Sequence, residues 1–237
     1  MAYTNSSLVS YTKLSPNYNK RLNKIKKITI HHMAGNLSVE SCGNIFAKSS
    51  RQASSNYAVG TDGRIAMYVE EKNRSWCSSS ATNDHQAITI EVANDGGAPN
   101  WHVSDKALAA TIDLCVDICK RNGIEKLVFT GSASGNLTLH KYFAATACPG
   151  PYLESKIPYI VEQVNKRLGL TTDTALKNGD TVKLKANATY YDGKKIPNWL
   201  FNTKLYVRSI TNDRVVVSTL KVGPITGAVH INNLVKA

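Results

Sequence analysis

Acidic residues are scarce in this 237-residue chain, which carries 17 aspartates and glutamates against 29 lysines and arginines. The resulting net charge of +12 favours polyanionic partners, such as nucleic acid, anionic lipid or the teichoic acids of a bacterial wall. Long apolar runs are absent too, and none approaches the roughly 18 to 20 residues that a membrane span requires. The sequence therefore predicts no membrane span.

The N-terminal stretch MAYTNSSLVSYTKL lacks a positive segment followed by an apolar one, so no secretory signal peptide is predicted. Cysteine is also limited, and its odd count of five in a chain without such a signal favours reduced thiols over a disulfide framework. Cys115 and Cys119 lie four residues apart in an apolar-periodic helix, where they are expected to be small buried hydrophobes. Cys42 and Cys77 are expected to be free thiols rather than a bridge.

Composition excludes the non-globular classes, because 42% of residues are hydrophobic and 19% are charged. Strand-like and helix-like segments alternate up to residue 168, which predicts an α/β fold with a mixed central β-sheet flanked by helices. The predicted strands are 27–32, a hairpin within 55–71 that turns at 61–63, 87–95 and 127–130. The predicted helices are 38–52, 104–121, and 151–168, the last with a proline that kinks it or delays its start.

A polar segment separates this region from a different kind of sequence. We predict a catalytic domain over 1–168, a linker over 169–176 and a second domain over 177–237. The last 67 residues contain 8 lysines and 2 arginines against 4 aspartates and no glutamate, a net charge of +6. Their short strand-like pieces and turn signals predict a small β-barrel, because closure removes exposed strand edges.

Three residues distant in sequence are candidate metal ligands. His31 lies at the end of the predicted strand KITIHH, and the segment HKYFAATACPG contains His140 and Cys148. Two imidazoles and one thiolate suit Zn²⁺, and three protein ligands with a fourth position left to water are typical of a catalytic site. The spacing alone is not specific, so a structural role for each residue stays open at this point.

Four segments, in order, carry a family resemblance: TIHHMAG, SNYAVGTDGRIAMYV, AITIEVAND and LTLHKYFAATACPG. Together they cover about residues 25 to 169 and resemble the zinc-dependent N-acetylmuramoyl-L-alanine amidases of the phage-lysozyme and peptidoglycan-recognition type. The resemblance implies that His31, His140 and Cys148 bind Zn²⁺, the cofactor. It also implies cleavage of the amide between N-acetylmuramic acid and L-alanine in peptidoglycan by zinc-activated water.

The same resemblance assigns catalytic roles to three further residues. Glu91 of AITIEVAND is expected to be the general base for the water. Tyr57 of SNYAVG and Thr146, two residues before the cysteine ligand, are expected to donate hydrogen bonds to the tetrahedral oxyanion. Without the resemblance, Tyr57 would be read as a core residue and Thr146 as a loop cap. His32 alternates with His31 along the strand, so we expect it to point to the other face and pack there.

The C-terminal segment resembles the SH3-like wall-binding modules that follow catalytic domains in endolysins of phages that infect Gram-positive bacteria. Exposed Tyr190, Tyr191 and Trp199 are candidates for holding teichoic acid or another wall polymer, and the alternative is that they form the barrel core. The combination suggests a phage or prophage endolysin. Such a protein stays in the host bacterial cytoplasm until a holin releases it to the cell wall.

Two rival functions remain at this stage. A non-catalytic peptidoglycan-binding protein would keep the amidase fold without the metal, and the presence of all three candidate ligands argues against it. A nucleic-acid binder would explain the net charge, but no basic-aromatic recognition motif is present, so no nucleic-acid partner is predicted.

Overall fold

The computed structural model describes residues 3–169 and 176–237. They belong to two compact units, Met1–Leu170 and Thr171–Ala237, each with its own hydrophobic core. Most of the linker predicted over 169–176 lies outside the described residues.

The first unit is built on a mixed six-stranded sheet, which confirms the predicted α/β class. In sheet order its strands are β1 (Tyr11–Thr12), β5 (Ile65–Met67), β4 (Tyr57–Val59), β7 (Ala87–Val92), β3 (Lys27–His32) and β8 (Leu137–Leu139). Strand β3 runs parallel to both of its neighbours, β7 and β8, while β4 and β5 form the predicted antiparallel hairpin. A separate two-stranded ribbon joins β2 (Tyr18–Lys20) to β6 (Asn73–Ser75).

The register of β3 and β7 decides what lies on each face of the sheet. Ile30 is opposite Ile90, and the next pair along the two strands is His31 opposite Glu91. Because side chains alternate between faces, the isoleucines enter the main core and His31 and Glu91 share the other face. Both strands are almost completely buried, as expected for strands at the centre of a covered sheet.

Helices cover both faces of this sheet. The helices are α1 (Val39–Phe46), α2 (Ala81–Asp84), α3 (Asp105–Asn122) and α4 (Pro151–Arg167). Residues of α3 and α4 pack on the isoleucine face, whereas α1 packs with Tyr68 in a smaller cluster. The side chain of Ser104 caps the start of α3, and Gly123 ends the helix in a left-handed conformation with φ of 66°. Among the described residues, no helix combines the length and apolarity needed to cross a membrane.

Three predicted elements differ from the structure. The helix predicted over 38–52 ends at Phe46 and is followed by a short 3₁₀ turn over Ser49–Arg51. Residues 127–130 belong to no strand, and β8 is the edge strand next to β3 instead. The strand predicted over 87–95 ends at Val92 as β7. The helix predicted over 151–168 is confirmed as α4, and Pro158 does not delay its start.

The second unit contains a five-stranded antiparallel sheet. In sheet order its strands are β12 (Gly227–His230), β11 (Arg214–Ser218), β10 (Leu205–Thr211), β9 (Thr181–Leu184) and β13 (Leu234–Lys236). The branched side chains of Val182, Val207, Val215, Val217 and Val229 form much of its core. Short strands rich in valine are consistent with this all-β arrangement.

Candidate metal and catalytic site

The candidate site lies at one end of the central sheet, where the parallel strands β3, β7 and β8 finish. His31 and Glu91 are near the carboxyl ends of neighbouring strands, and His140 follows β8 directly in a 3₁₀ turn. Cys148 lies in the loop just before α4. Because parallel strands present their carboxyl ends at the same edge, the topology collects residues that are more than 100 positions apart in sequence.

The three predicted metal ligands converge. One ligand atom from each of His31, His140 and Cys148 lies within 4.8 Å of the others. The two imidazole rings have centroids 4.5 Å apart, and the Nε2 atom of each is buried without a hydrogen-bond partner. Ligands of a tetrahedral zinc ion lie about 3.5 Å apart, so a small side-chain adjustment would satisfy both nitrogens. The donor set and the orphaned nitrogens therefore fit Zn²⁺.

The electrostatics of these residues also fit a metal site. Burial lowers the pKa of His31 well below its usual value, and the neighbouring His140 adds to the effect. Burial likewise lowers the pKa of His140, so both imidazoles are neutral, which is the form that binds a metal ion. For Cys148, burial and then the charge of Glu91 raise the pKa of the thiol. This thiol would have to lose its proton when a metal ion binds.

Glu91 is a half-buried carboxylate beside the candidate ligands. Burial raises the pKa of Glu91 to about 8, with smaller opposing effects from Cys77 and Arg51. The Cys77 thiol donates to Glu91 Oε1 over 3.8 Å, and Oε2 is buried without a partner. Cys77 and Glu91 also form a second candidate metal group with His31. A carboxylate that has a raised pKa and one oxygen without a hydrogen-bond partner is suited to accept a proton from water.

Tyr57 does not belong to this cluster, which corrects its assignment as an oxyanion donor. Its neighbour in the sheet is Ile90, so its side chain lies on the isoleucine face and is completely buried. The hydroxyl donates to Glu71 Oε1 over 2.8 Å and accepts from the Ser6 backbone N–H. The alternation of side chains along β4 places Ala58, rather than Tyr57, on the face of Glu91.

Thr146 lies at the edge of the site in two respects. Its hydroxyl oxygen accepts the backbone N–H of Cys148 over 3.2 Å, as a loop cap does. The exposed side chain also borders a cavity that Glu91, His140 and Cys148 line as well.

His32 packs edge-to-face on Trp101, with ring centroids 5.4 Å apart, while its backbone N–H donates to Cys148 Sγ.

Two cavities meet at the candidate site and share Phe46, Arg51, Glu91 and His140. The first, here called the polar arm, has a volume of about 450 Å³ and is also bordered by Gln52, Ser54, Arg74, Trp76, Ser79 and Ser80. The second, here called the apolar arm, has a volume of about 290 Å³ and is also bordered by Met33, Ala34, Leu37, Ile45 and Thr146. A substrate with chemically different halves could therefore extend in both directions from Glu91 and His140.

Comparison with known proteins places this site in a family. The family model described as N-acetylmuramoyl-L-alanine amidase matches residues 21–151, which include His31, Glu91, His140 and Cys148. The chain belongs to this family. Membership of the N-acetylmuramoyl-L-alanine amidases, which the four sequence segments suggested, is thus confirmed, and peptidoglycan amidase activity is the function that the family supports. A search of curated proteins gives no match.

Solved structures share the fold of the amidase unit at low sequence identity. The structure of PlyL has a TM-score of 0.52 and 18% identity, over 65% of this chain and 95% of that chain. A selenomethionine derivative of AmpD has a TM-score of 0.52 and 16% identity, over 68% of this chain and 99% of that chain. The PlyG catalytic domain has a TM-score of 0.52 and 17% identity, over 68% of this chain and 96% of that chain. These similarities confirm the amidase fold.

Three residues of the amidase site were not found by reasoning from the sequence. Cys77 was expected to be an ordinary free thiol, and Arg51 and Arg74 were not singled out. Cys77 lies just after β6, and Arg51 lies in a 3₁₀ turn where a helix was predicted. No spacing in the sequence relates them to His31 or Glu91, because the sheet topology alone brings these segments together.

Proposed function

We propose that this amidase is zinc-dependent and cleaves the bond between N-acetylmuramic acid and L-alanine as an endolysin of Gram-positive cell walls. The observation that carries the proposal is the convergence of His31, His140 and Cys148, with both imidazole Nε2 atoms unpartnered, beside Glu91. Three protein ligands leave the fourth position of a tetrahedral zinc ion for water or substrate, the arrangement typical of catalytic sites.

The residues of the chain then divide the work of hydrolysis. When bound, the ion supplies a Lewis acid that lowers the pKa of water and polarises a carbonyl group. Glu91 takes the proton of the attacking water and passes it to the departing alanine amine. The Thr146 hydroxyl, whose oxygen already accepts the Cys148 N–H, donates its hydrogen to the developing oxyanion. Tyr57 takes no part, since its hydroxyl is held by Glu71 in the core.

Variants of the ligands and of the base test this division. His140→Ala and Cys148→Ala should lose bound zinc and activity together. Glu91→Gln should keep zinc and lose at least about 100-fold in kcat, the usual contribution of a general base. Glu125→Gln, an exposed residue of the same unit, is the matched control. The readout is the release of free alanine amino groups from purified walls without new sugar reducing ends, with and without a chelator.

The outcomes separate the proposal from its rivals. Full activity of zinc-free protein would contradict the zinc mechanism, and full activity of zinc-loaded Glu91→Gln would remove Glu91 from it. A protein that binds walls and zinc but releases neither amines nor reducing ends would support the non-catalytic alternative.

We propose further that residues 177–237 form an SH3-like module that binds a wall polymer such as teichoic acid. Within this unit a cavity of about 450 Å³ is bordered by Tyr190, Tyr191, Lys194 and Arg214, among others. The Tyr191 ring is 45% exposed, and the Arg214 guanidinium lies 6.0 Å from its centroid. Exposed aromatic and cationic groups around one cavity suit a polymer that carries sugars and negative charge. Tyr190 also packs against the core of the unit, and Trp199 is 60% exposed outside this cavity.

The proposed biological setting is that of a phage or prophage endolysin. The protein would accumulate in the host bacterial cytoplasm and reach the wall only when a holin opens the membrane. Expression in a susceptible bacterium tests this setting: cells should stay intact with the amidase alone and lyse when a holin is co-produced. Lysis by the amidase alone would contradict the proposal.

A further inference from the structure

The two arms of the amidase site differ in the number of arginines that border them. The polar arm contains two arginines, Arg51 and Arg74, whereas the apolar arm contains only the shared Arg51 among its borders. The acidic residues of the polar arm are Glu91, already described, and Asp84. Both carboxylate oxygens of Asp84 already accept hydrogen bonds. Oδ1 accepts from the Ser78 hydroxyl over 2.5 Å, and Oδ2 accepts from the backbone N–H groups of Cys77 and Ser78.

We propose that the polar arm is a carboxylate-binding subsite for the peptide of the substrate, with Arg51 and Arg74 as its cations. This inference rests on the proposed amidase function and adds the direction in which the substrate lies. The peptide extends from Glu91 and His140 into the polar arm, and the sugar lies toward the apolar arm.

Arg74 is held in place but keeps unused hydrogen-bonding capacity. Its Nη2 donates to Asn19 Oδ1 over 2.6 Å, and the same oxygen accepts from Trp76 Nε1 over 2.7 Å. Asn19 thus fixes the guanidinium beside the indole that borders the same cavity. Across the described residues, Nη2 is the only guanidinium nitrogen of Arg74 that has an acceptor, its Nε is buried without one, and no carboxylate pairs with the side chain. A positioned arginine without a counter-charge is suited to bind an anion.

Arg51 is the second such cation and lies nearer the reacting centre. It is exposed in the 3₁₀ turn over Ser49–Arg51 and, within 3–169 and 176–237, forms no ion pair. Arg51 borders both arms together with Glu91, which places it where the two cavities meet. Arg51 and Arg74 therefore provide positive charge both close to Glu91 and farther along the polar arm.

The chemistry of the substrate decides which half suits this arm. On the sugar side, the lactyl carboxyl group of muramic acid is part of the amide that is cleaved, and the neighbouring sugars are neutral. The peptide side carries free carboxyl groups, beginning with the α-carboxyl of an acidic second residue linked through its side chain. A guanidinium forms its strongest charge-assisted hydrogen bonds with a carboxylate. The peptide is therefore the half that the arginines recognise.

Two soluble substrates that differ in one group test the inference in the full chain. Both are N-acetylmuramoyl dipeptides of L-alanine and D-glutamate in which the glutamate side-chain carboxyl is capped as an amide, one with the α-carboxyl free and the other with it amidated as well, so that the second is neutral. We expect the zinc-loaded wild type to hydrolyse the acid with a kcat/KM at least about tenfold higher than that of the amide. In Arg51→Gln and Arg74→Gln this ratio should fall toward one, mainly through a higher KM for the acid. Arg167→Gln, on the outer surface of α4, is the matched control.

The outcomes distinguish this inference from the proposed function. If neither dipeptide nor purified wall releases alanine amino groups, the proposed function fails. If the enzyme is active but the wild type does not discriminate, or both arginine variants keep the wild-type ratio, the carboxylate subsite is wrong. Loss of activity on both substrates with zinc retained and an unchanged ratio also contradicts it, because the arginines would then act on the reaction itself.

Discussion

At the scale of single residues, the environment of Glu91 is defined by thiols. The Cys77 thiol donates a hydrogen bond to the Glu91 carboxylate. The pKa values of Cys42 and Cys148 are raised mainly by burial and secondly by the charge of Glu91. Among the described residues, Cys77 is the hydrogen-bond partner of Glu91, and we expect it to orient this carboxylate toward the candidate metal ligands. This role makes it a positioning residue rather than a catalytic one.

Replacing Cys77 tests this role. Cys77→Ala should keep zinc and lower kcat about tenfold, since a buried hydrogen bond to a charged group contributes on the order of 1.5 kcal/mol. Cys77→Ser keeps a donor and should recover most of the activity. Cys119→Ala removes a buried thiol from α3 and controls for the loss of a thiol as such. The measurements are zinc content and steady-state kinetics on a soluble muramoyl peptide.

Two results would contradict the positioning role. Unchanged kcat in Cys77→Ala would show that Glu91 needs no such partner. Loss of zinc would instead make Cys77 a ligand, together with His31 and Glu91.

Tyr57 has a structural role with a different signature. Its hydroxyl is one of several donors to the completely buried Glu71 carboxylate, which also accepts hydrogen bonds from the side chains of Arg121 and Asn122. Tyr57→Phe should lower the free energy of unfolding by about 1–3 kcal/mol and leave kcat unchanged. Urea unfolding and kinetics on the same preparation measure both quantities, with Tyr159→Phe on the exposed surface of α4 as the control. Unchanged stability with a 100-fold drop in kcat would restore the oxyanion role.

At the scale of elements, the predictable parts are those with strong local patterns. The alternation in KITIHH and AITIEV gives β3 and β7, and the caps Ser104 and Gly123 bound α3. The three candidate metal ligands and the candidate base Glu91 were predicted from four segments that resemble a family. Arg51, Arg74 and Cys77 were not, because they lie in a 3₁₀ turn, in the ribbon strand β6 and just after that strand, and only the assembled fold brings these segments to the site.

Residues 127–130 illustrate the limit of local patterns. Their hydrophobic sequence suggests a strand, but β8 occupies the place beside β3. The buried Asn165 of α4 holds this segment instead, with its side chain accepting the Leu127 N–H over 2.8 Å and donating to the Leu127 carbonyl over 2.9 Å. A side chain from a helix thus replaces the hydrogen bonds that a neighbouring strand would supply, and no local pattern reveals this.

Removing that side chain should have a large effect on stability. Asn165→Ala leaves a buried N–H and carbonyl of Leu127 without these partners, so we expect a loss of about 2–4 kcal/mol in the free energy of unfolding. Faster hydrogen exchange of the Leu127 amide should accompany it. Glu162→Ala on the exposed side of the same helix is the control and should change stability by no more than about 0.5 kcal/mol. An equally small effect for Asn165→Ala would show that the two hydrogen bonds to Leu127 do not hold the segment in place.

At the scale of the whole molecule, two segments of unequal length carry the same net positive charge. Residues 1–170 and 171–237 each carry a net charge of +6, although the second segment has fewer than half as many residues. The denser charge thus lies in the unit proposed to bind the wall. Attachment to an anionic polymer and cleavage of a small substrate should therefore respond differently to salt.

That difference gives a prediction for the full chain. Between 0.1 M and 1 M salt the Debye length falls from about 10 Å to about 3 Å, so wall binding should weaken at least about tenfold. Hydrolysis of a neutral, amidated muramoyl dipeptide should change little, because no long-range attraction brings it to the site. Lys194→Gln combined with Arg214→Gln should weaken wall binding and flatten its salt dependence, whereas Lys126→Gln in the amidase unit should not. Binding that is insensitive to salt in the wild type would mean that the second unit recognises the wall through uncharged groups.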